Sequence, residues 1–428
     1  MRMGPIRNYT ASFFRWYPGI QCGAKSVSSP SRSADDSGVV WMRIRAALES
    51  VNEPVLPPDL SCINTIDDAR AYVQTKPPQE VSDVMDLVCT KLVRDAHGEE
   101  PSDQDLQLRR LLKQLARLSG HVPNKMKVPD IVLQSFHPIL LSGFADIYKG
   151  TLDGKPVALK RLRMYAKNPD DAVKQIYYRE TITWFTLRHP HILPLFGVGC
   201  DLFKGIGLPP LVLPWIERGN MPQYMHVLES NHQKVPLQRW LREIVEALTY
   251  LHMKQVTHGD IRGANVLIDK DDSALLTDFG MAKFADVNAM TENSNRSEGA
   301  SRWLPPELLP LEYTDVPARP TPKADVYSFG CLWLELHTRR PPYPDSREGA
   351  AIVAKVIRGI QPGWTAYGLL PPHTVEELEA TDVWQFVRTC FAVNPDDRPC
   401  TQELLRASEF DSYWIRESYQ PPEKGKQY

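Results

Sequence analysis

The chain has 428 residues and a formal net charge of −2 at pH 7, with 42% hydrophobic and 24% charged residues. This composition is typical of a globular protein with a full apolar core, and it excludes disordered and collagen-like classes. The near-neutral charge provides no overall attraction to nucleic acid or to an acidic membrane surface, so neither is an expected partner.

The seven cysteines form no C-x-x-C pair, which argues against a disulfide framework or a zinc site. A reduced, cytoplasmic setting follows as the default expectation. No stretch approaches the roughly 18 unbroken apolar residues that a membrane helix requires, so no membrane span is expected.

The first 37 residues differ in composition from the rest. Residues 1–33 are rich in arginine and serine and contain no acidic residue. This pattern fits a mitochondrial transit peptide or a disordered basic tail. Poor amphipathic periodicity favours the tail for residues 1–37.

The next part of the chain, residues 38–125, is predicted to form a helical extension. Apolar residues recur there at three- and four-residue spacing, in segments around 40–51, 66–73 and 81–93. A further helix is expected to begin after Ser102 and to end at Gly120, residues typical of helix caps. The extension contains no catalytic constellation, so its expected role is packing or the binding of a protein partner.

Short β-type runs follow from residue 131. An Asp153-Gly154 pair between two of these runs is a strong hairpin signal. The predicted strands are 139–141, 146–149, 157–159, 195–198 and 211–213, with a helix over 170–188. Farther on, helices are predicted over 237–251, 326–336 and 383–391. A small β-rich part before a larger helical part predicts an α+β, two-lobed architecture.

Three polar side chains stand at the ends of two apolar runs in the helical part. Asp260 and Asn265 precede the run Val266-Leu267-Ile268, and Asp278 follows the next run. Two acids and an amide at adjacent hairpin ends are suited to phosphoryl transfer, which needs a group to orient the nucleophile and hard oxygen ligands for Mg²⁺. The alternative is that each residue only caps a turn.

These residues belong to a longer ordered series of motifs. The series is Val157-Ala158-Leu159-Lys160, Glu180, His258-Gly259-Asp260 through Asn265, Asp278-Phe279-Gly280, Pro305-Pro306-Glu307, Asp325 through Gly330, and Arg398-Pro399. In this order it resembles the signature set of the protein kinases, over residues 131–410. The resemblance implies a bilobal protein kinase fold, with a small β-rich N-lobe and a larger α-helical C-lobe, between the helical extension and a C-terminal tail at 411–428.

Two further stretches narrow the resemblance. The run from Gly299 to Glu307 and the hinge-like Leu213-Pro214-Trp215-Ile216 are similar to the tyrosine-kinase-like group, in a divergent fungal form. Most members of that group phosphorylate serine and threonine. The implied function is transfer of the γ-phosphate of ATP to protein substrates, with ATP and Mg²⁺ as cofactors.

The resemblance implies a role for each matching residue. Lys160 would hold the α- and β-phosphates and pair with Glu180, Asp260 would orient the substrate hydroxyl, and Arg262 would contact the γ-phosphate. The implied Mg²⁺ ligands are Asn265 and Asp278. The implied nucleotide-binding residues are Ser142, Gly143, Ala145, Ile147, Ala158, Lys160, Leu213, Trp215, Ile216 and Leu267. Glu307 and Arg398 would form a buried structural ion pair, and Asp325 would be structural as well.

Three positions depart from the kinase pattern. The glycine-rich phosphate loop has none of its three glycines in place, with Gly143 one residue past the second, so weak nucleotide affinity is expected. Gly259 replaces the arginine that senses a phosphate on the activation loop, which puts control through Thr291, Ser294 or Ser297 in doubt. Ala300 replaces a threonine that bonds to the catalytic aspartate.

Two alternatives to an active protein kinase remain, one suggested by these departures and one by the stretch from His258 to Asn265. A pseudokinase that serves as a scaffold or allosteric partner would tolerate the altered loop and Ala300. However, a binding module would have no chemical need for all five of the residues Lys160, Glu180, Asp260, Asn265 and Asp278. A small-alcohol kinase shares the His-Gly-Asp motif, but it lacks the features around Glu307 and Arg398.

Overall fold

The computed structural model describes residues 60, 63, 65–94, 101–141, 145–163, 171–203, 207–278, 300–309, 319–346, 349–363 and 381–409. The predicted basic tail, the helix at 40–51, the C-terminal tail and the loop residues Thr291, Ser294 and Ser297 lie outside these residues. Ser142 and Gly143 of the altered phosphate loop also lie outside them.

Three helices of the extension are confirmed, namely α1 (Ile66–Thr75), α2 (Pro78–Arg94) and α3 (Asp103–Ser119). Ser102 caps α3, since its hydroxyl accepts from the Asp105 N–H at 3.1 Å and its own N–H donates to the Asp105 carboxylate at 3.0 Å. Gly120 ends the helix at φ 75°, the left-handed conformation that glycine adopts without steric cost.

The small lobe is an antiparallel sheet. Its strands are β1 (Val132–Leu133), β2 (Leu140–Leu141), β3 (Ala145–Leu152), β4 (Lys155–Leu162), β5 (Gly197–Val198) and β6 (Leu211–Pro214). They lie in the order β1-β3-β4-β6-β5, and β2 pairs with the other end of β3. The β3–β4 turn has Asp153 at φ 50° and Gly154 at φ 75°, as a two-residue hairpin turn of type I′ requires. The hairpin prediction is therefore confirmed.

Helix α4 (Asp171–Phe185) lies between β4 and β5 in the chain and carries Glu180. The larger lobe follows β6. Its elements are α5 (Met221–Ser230), α6 (Leu237–Met253), β7 (Val266–Ile268), β8 (Ala274–Leu276), α7 (Pro322–Thr338), α8 (Gly349–Ile357), α9 (Asp382–Thr389) and α10 (Thr401–Glu409). A small β-rich lobe and a larger helical lobe confirm the predicted α+β, bilobal fold.

One apolar core joins the helical extension to both lobes. Leu112 and Leu115 of α3 belong to the same buried cluster as Trp184 and Phe185 of α4 and Leu248 of α6. Each of these five side chains is fully or almost fully buried. The extension therefore packs against the rest of the chain. Among the described residues, no helix has the length and apolar character needed to cross a membrane.

Candidate active site

The three predicted polar residues meet at one end of the β7–β8 hairpin. Val266 pairs with Leu276, and one step farther the Thr277 N–H donates to the Asn265 carbonyl at 3.0 Å. Asn265, directly before β7, and Asp278, two residues after β8, thus lie at the same end of the hairpin. The backbone register therefore brings the two residues to one end of the hairpin, while their joint role as Mg²⁺ ligands stays a prediction.

Asp260 is joined to this end by the Asn265 side chain. The Asn265 amide nitrogen donates to the Asp260 carboxylate at 2.7 Å and to its backbone carbonyl at 2.8 Å. The Arg262 Nε lies 3.2 Å from the other carboxylate oxygen of Asp260. Because the amide nitrogen is directed at Asp260, the amide oxygen of Asn265 points away from it and is available to a ligand.

Lys160 and Asp278 connect the two lobes across the site. The Lys160 Nζ lies 2.5 Å from Oδ1 of Asp278, and the lysine side chain is only 3% exposed. Asp278 has a φ of 68°, a left-handed conformation that aspartate tolerates better than most residues. A buried cation from β4 therefore faces an acid that follows β8.

Glu180 lies on α4, on the small-lobe side of the site. It is almost fully buried, and its Oε1 accepts from the Arg179 Nε at 3.0 Å. The implied pairing of Lys160 with Glu180 stays a prediction.

A buried carboxylate holds the backbone on the N-terminal side of Asp260. Asp325, at the start of α7, accepts from the N–H groups of His258 and Gly259, both at 2.8 Å. Its Oδ2 also accepts from the His252 Nε2 at 2.9 Å. Asp325 is 1% exposed, so these bonds are shielded from water. The predicted structural role of Asp325 is confirmed by these contacts.

The His258 ring links the catalytic loop to the hairpin. Its Nε2 donates to the Thr277 carbonyl at 2.9 Å, and its Nδ1 accepts from the Asp260 N–H at 3.2 Å. Burial lowers the pKa of His258, although Asp325 and Asp260 nearby oppose that shift. A neutral ring with its proton on Nε2 satisfies both contacts.

Glu335 is a second buried anchor that the sequence analysis missed. From α7, its Oε2 accepts from the Gly263 N–H at 3.1 Å and from the Trp303 Nε1 at 2.8 Å. It is 2% exposed. The available signal was a glutamate inside the apolar run 326–336, where an unpaired charge would be costly.

Gly259, which stands in the place of the expected arginine, has a φ of 82°. A Cβ at this position would lie 3.3 Å from Cγ of Pro320. The left-handed backbone and this close neighbour both favour glycine here.

The predicted nucleotide-binding residues that the structure describes lie on β3, on β4, on β6 and directly after it, with Leu267 on β7 of the large lobe. Ile147 pairs with Lys160, and Ala158 pairs with the buried Leu213. Ala145 is fully buried at the start of β3, while Ile216 and Leu267 are partly buried against the main core. The Lys149 Nζ lies 4.3 Å from the centroid of the Trp215 ring, a cation–π contact.

The predicted ion pair of the large lobe is present. The guanidinium of Arg398 donates to the Glu307 carboxylate through Nη1 at 2.6 Å and Nη2 at 2.8 Å. The Arg398 side chain is 0% exposed and that of Glu307 is 26% exposed. This geometry is bidentate, which confirms the pairing that the resemblance implied.

Known proteins resemble the part of the chain that contains these residues. The model of the protein kinase domain family matches residues 142–410, more than half of the chain. The probable serine/threonine-protein kinase kinX of Dictyostelium discoideum is 27% identical over 274 residues, covering 61% of this chain and 22% of that protein.

Two proteins of Arabidopsis thaliana are also similar. Mitogen-activated protein kinase kinase kinase 5 is 28% identical over 278 residues, or 63% of this chain and 34% of that protein. Mitogen-activated protein kinase kinase kinase 3 is 28% identical over 316 residues, or 73% of this chain and 51% of that protein. The chain thus spans about half or less of the length of these relatives.

Proposed function

This chain belongs to the protein kinase family, and on that premise we propose that it transfers the γ-phosphate of ATP to serine or threonine hydroxyls of protein substrates. The observation that carries the proposal is the joined arrangement of Asp260, Asn265 and Asp278. The Asn265 amide nitrogen lies 2.7 Å from the Asp260 carboxylate. The Asn265 carbonyl accepts from the N–H of Thr277, the residue before Asp278.

Asp260 is the group that orients the attacking hydroxyl. Its carboxylate accepts a hydrogen bond from the Asn265 amide and forms an ion pair with Arg262. A carboxylate that is already fixed can accept the substrate proton without a costly rearrangement of the site. Positioning of this kind, together with electrostatic stabilisation, is the main contribution of a protein to phosphoryl transfer. Arg262 would also contact the γ-phosphate that the hydroxyl attacks.

Asn265 and Asp278 fit a divalent cation. The amide oxygen of Asn265 and the carboxylate of Asp278 are hard oxygen donors of the kind that Mg²⁺ selects. The two residues lie at the same end of the β7–β8 hairpin. When bound, Mg²⁺ would neutralise charge on the nucleotide phosphates. Lys160, which is 2.5 Å from Asp278, would contact the phosphates beside that metal.

The adenine end of the nucleotide would lie between the lobes. Ala158, Leu213 and Leu267 supply apolar surface for the base, and Trp215 and Ile216 belong to the connecting hinge. Pro214 has no N–H group, so backbone contacts with the base must come from its neighbours. With no glycine at the three usual loop positions, we expect weak affinity for ATP.

The finer assignment is to the tyrosine-kinase-like group, in a divergent fungal form. The stretch from Gly299 to Glu307 and the hinge from Leu213 to Ile216 support it. We further propose a cytoplasmic location, since the chain has an odd number of cysteines and no C-x-x-C pair. A protein partner bound through the exposed faces of the helical extension is part of the same proposal.

The test is a radiolabel transfer assay with ATP, Mg²⁺ and a generic protein substrate, on the wild type beside Asp260→Asn. We expect the substitution to reduce transfer by about a thousandfold, because Asp260 contacts the hydroxyl. Thermal stabilisation by ATP and Mg²⁺ should persist, since Asp260 does not contact the base. Asp271→Asn, in an exposed turn, is the matched control and should leave transfer unchanged.

Two results would favour another function. Nucleotide binding without any transfer by the wild type would identify a pseudokinase, the alternative that the altered loop and Ala300 suggest. Label on a small alcohol and none on protein would identify a small-alcohol kinase.

A further inference from the structure

Helix α3 of the extension packs directly against α4, the helix that carries Glu180. Leu112, Leu115 and Ala116 of α3 enter the same core as Tyr177 and Trp184 of α4. All five side chains are fully or almost fully buried. The helix that bears a proposed active-site residue therefore has a partner helix from the same chain along its buried side.

Two adjacent tyrosines just before Glu180 bond α4 to two different parts of the chain. The Tyr178 hydroxyl donates to the Gly120 carbonyl, at the end of α3, at 2.5 Å. The Tyr177 hydroxyl donates to the Pro209 carbonyl, ahead of β6, at 2.8 Å. Burial raises the pKa of both phenols, so they remain donors at neutral pH. A rotation of α4 that would redirect Glu180 would break at least one of these bonds.

The N-terminal half of α3 contacts the large lobe. Arg109 is 6% exposed, and its Nη1 donates at 2.8 Å to the carbonyl of Lys254, the residue that ends α6. Burial lowers the pKa of this arginine, and the nearby Tyr250 and Asp105 oppose that shift. A guanidinium at a helix C-terminus satisfies an orphan carbonyl and interacts favourably with the helix dipole.

The C-terminal end of α4 reaches the same place. Directly after the helix, the Arg188 N–H donates to the Tyr250 hydroxyl of α6 at 2.8 Å. The Arg188 Nη1 donates to the carbonyls of Phe185 and Leu187 at 2.7 and 2.6 Å. Thus α3, the end of α4 and the end of α6 form one junction between the lobes.

We propose that Arg109 and Tyr178 are positioning residues for the phosphoryl-transfer reaction. Through them, α3 holds the Glu180 helix in a fixed orientation and ties it to the large lobe. The restraint comes from within the chain and needs no phosphate on the activation loop. This is consistent with Gly259, which stands in the place of the arginine that senses such a phosphate in other kinases. This inference rests on the proposed kinase activity.

The experiment compares neighbouring arginines of α3 in the full-length protein. Arg109 is buried and Arg110 is exposed, so Arg110→Met is a matched control for Arg109→Met. Hydrogen–deuterium exchange, without nucleotide, reports the protection of amides in α4 and, as an internal reference, in α7. Steady-state kinetics report kcat and the KM values for ATP and for a peptide substrate.

We expect Arg109→Met to reduce amide protection in α4 by about tenfold while α7 keeps its protection, since only the local restraint is lost. The value of kcat should fall by about tenfold, with the KM for the peptide unchanged. Tyr178→Phe, which removes one hydroxyl, should shift both quantities in the same direction by a smaller factor. Arg109→Lys should recover part of the loss, because an ammonium can still donate to the Lys254 carbonyl.

Two outcomes would overturn the positioning role. One is unchanged kcat and unchanged α4 protection in both Arg109→Met and Tyr178→Phe. The other is an equal loss of protection in α4 and α7, which would indicate a general loss of stability. If the wild type transfers no phosphate, the kinase proposal fails, while selective loss of α4 protection would still support the restraint of α4 by α3.

Discussion

The two segments that face each other across the proposed cleft are held in contrasting ways. On the large-lobe side, Asp325 accepts three hydrogen bonds from residues 252–259 while only 1% exposed. On the small-lobe side, β2 contains only Leu140 and Leu141, which are 41% and 60% exposed. The groups proposed for chemistry are thus preorganised by buried carboxylates, whereas the surface next to the phosphate loop has few contacts of its own.

This contrast separates two properties of the proposed enzyme. Fixed donors and acceptors in a buried network lower the barrier of the chemical step, so changes there should act on kcat. An exposed, lightly packed strand contributes mainly to the binding of the nucleotide, so changes in the adjoining loop should act on the KM for ATP.

Among the variants that test this contrast, Asp325→Asn, which disrupts the buried network behind the catalytic loop, should have the largest effect on kcat. An amide has one acceptor oxygen where the carboxylate has two, so its NH₂ group must face the N–H of Gly259 or of His258. Burying two opposed donors costs about 1–3 kcal/mol of unfolding free energy, and we expect kcat to fall by about a hundredfold. Urea unfolding and the transfer assay measure the two effects.

Asp271→Asn serves as the control for this substitution. The side chain of Asp271 is 69% exposed, so the same chemical change should alter both quantities very little. Full activity in Asp325→Asn would contradict the view that the buried carboxylate organises the catalytic loop.

Glu307→Gln tests a second buried contact of the large lobe. The substitution preserves shape but leaves the fully buried Arg398 without its carboxylate partner. We expect a loss of about 3 kcal/mol of unfolding free energy, measured by urea denaturation. Glu229→Gln removes one partner of the more exposed pair with Arg339 and should cost less than about 1 kcal/mol. Equal losses in the two variants would show that burial does not set the strength of these pairs.

The pH dependence of stability provides a smaller test of the same network. Burial lowers the pKa of His258 in the folded state, so the unfolded chain takes up the proton first as pH falls. The free energy of unfolding should therefore decrease below about pH 6.5, by up to about 1.4 kcal/mol per pH unit. His258→Gln should show a shallower slope between pH 7 and pH 5 in urea unfolding.

Two other histidines act in the same direction and must be separated from His258. Burial lowers the pKa of His189 and of His337 to about 4 in each case. Their contribution is common to the wild type and to His258→Gln, so it cancels in the difference between the slopes. Identical slopes would mean that His258 is not kept neutral by the fold.

The local part of the fold was predictable because its signals lie within a few residues of one another. Ser102 and Gly120 defined both ends of α3, and the Asp153-Gly154 pair defined the β3–β4 hairpin. Strand β1 was missed, since it contains only two residues and one of them, Val132, is 64% exposed. So short and exposed a strand leaves no alternation of apolar and polar residues to detect.

The long-range part of the site was only partly predictable. The spacing of Asp260, Asn265 and Asp278 indicated their convergence, because a hairpin brings its own ends together. By contrast, Arg109 contacts the carbonyl of a residue 145 positions away. No periodicity records which helix a buried arginine will meet, and a glutamate such as Glu335 inside an apolar run indicates only that a partner exists.

The smallest effect is expected from Ser142→Gly, which restores a glycine to the phosphate loop of the small lobe. Glycine lets backbone N–H groups approach phosphate oxygens more closely. We expect the KM for ATP to fall by about threefold, or about 0.6 kcal/mol, while kcat is unchanged because the catalytic loop is untouched. Ser135→Gly, in the exposed stretch between β1 and β2, is the control and should change neither constant. A rise in kcat with no change in KM would show that the two sides of the cleft are not independent.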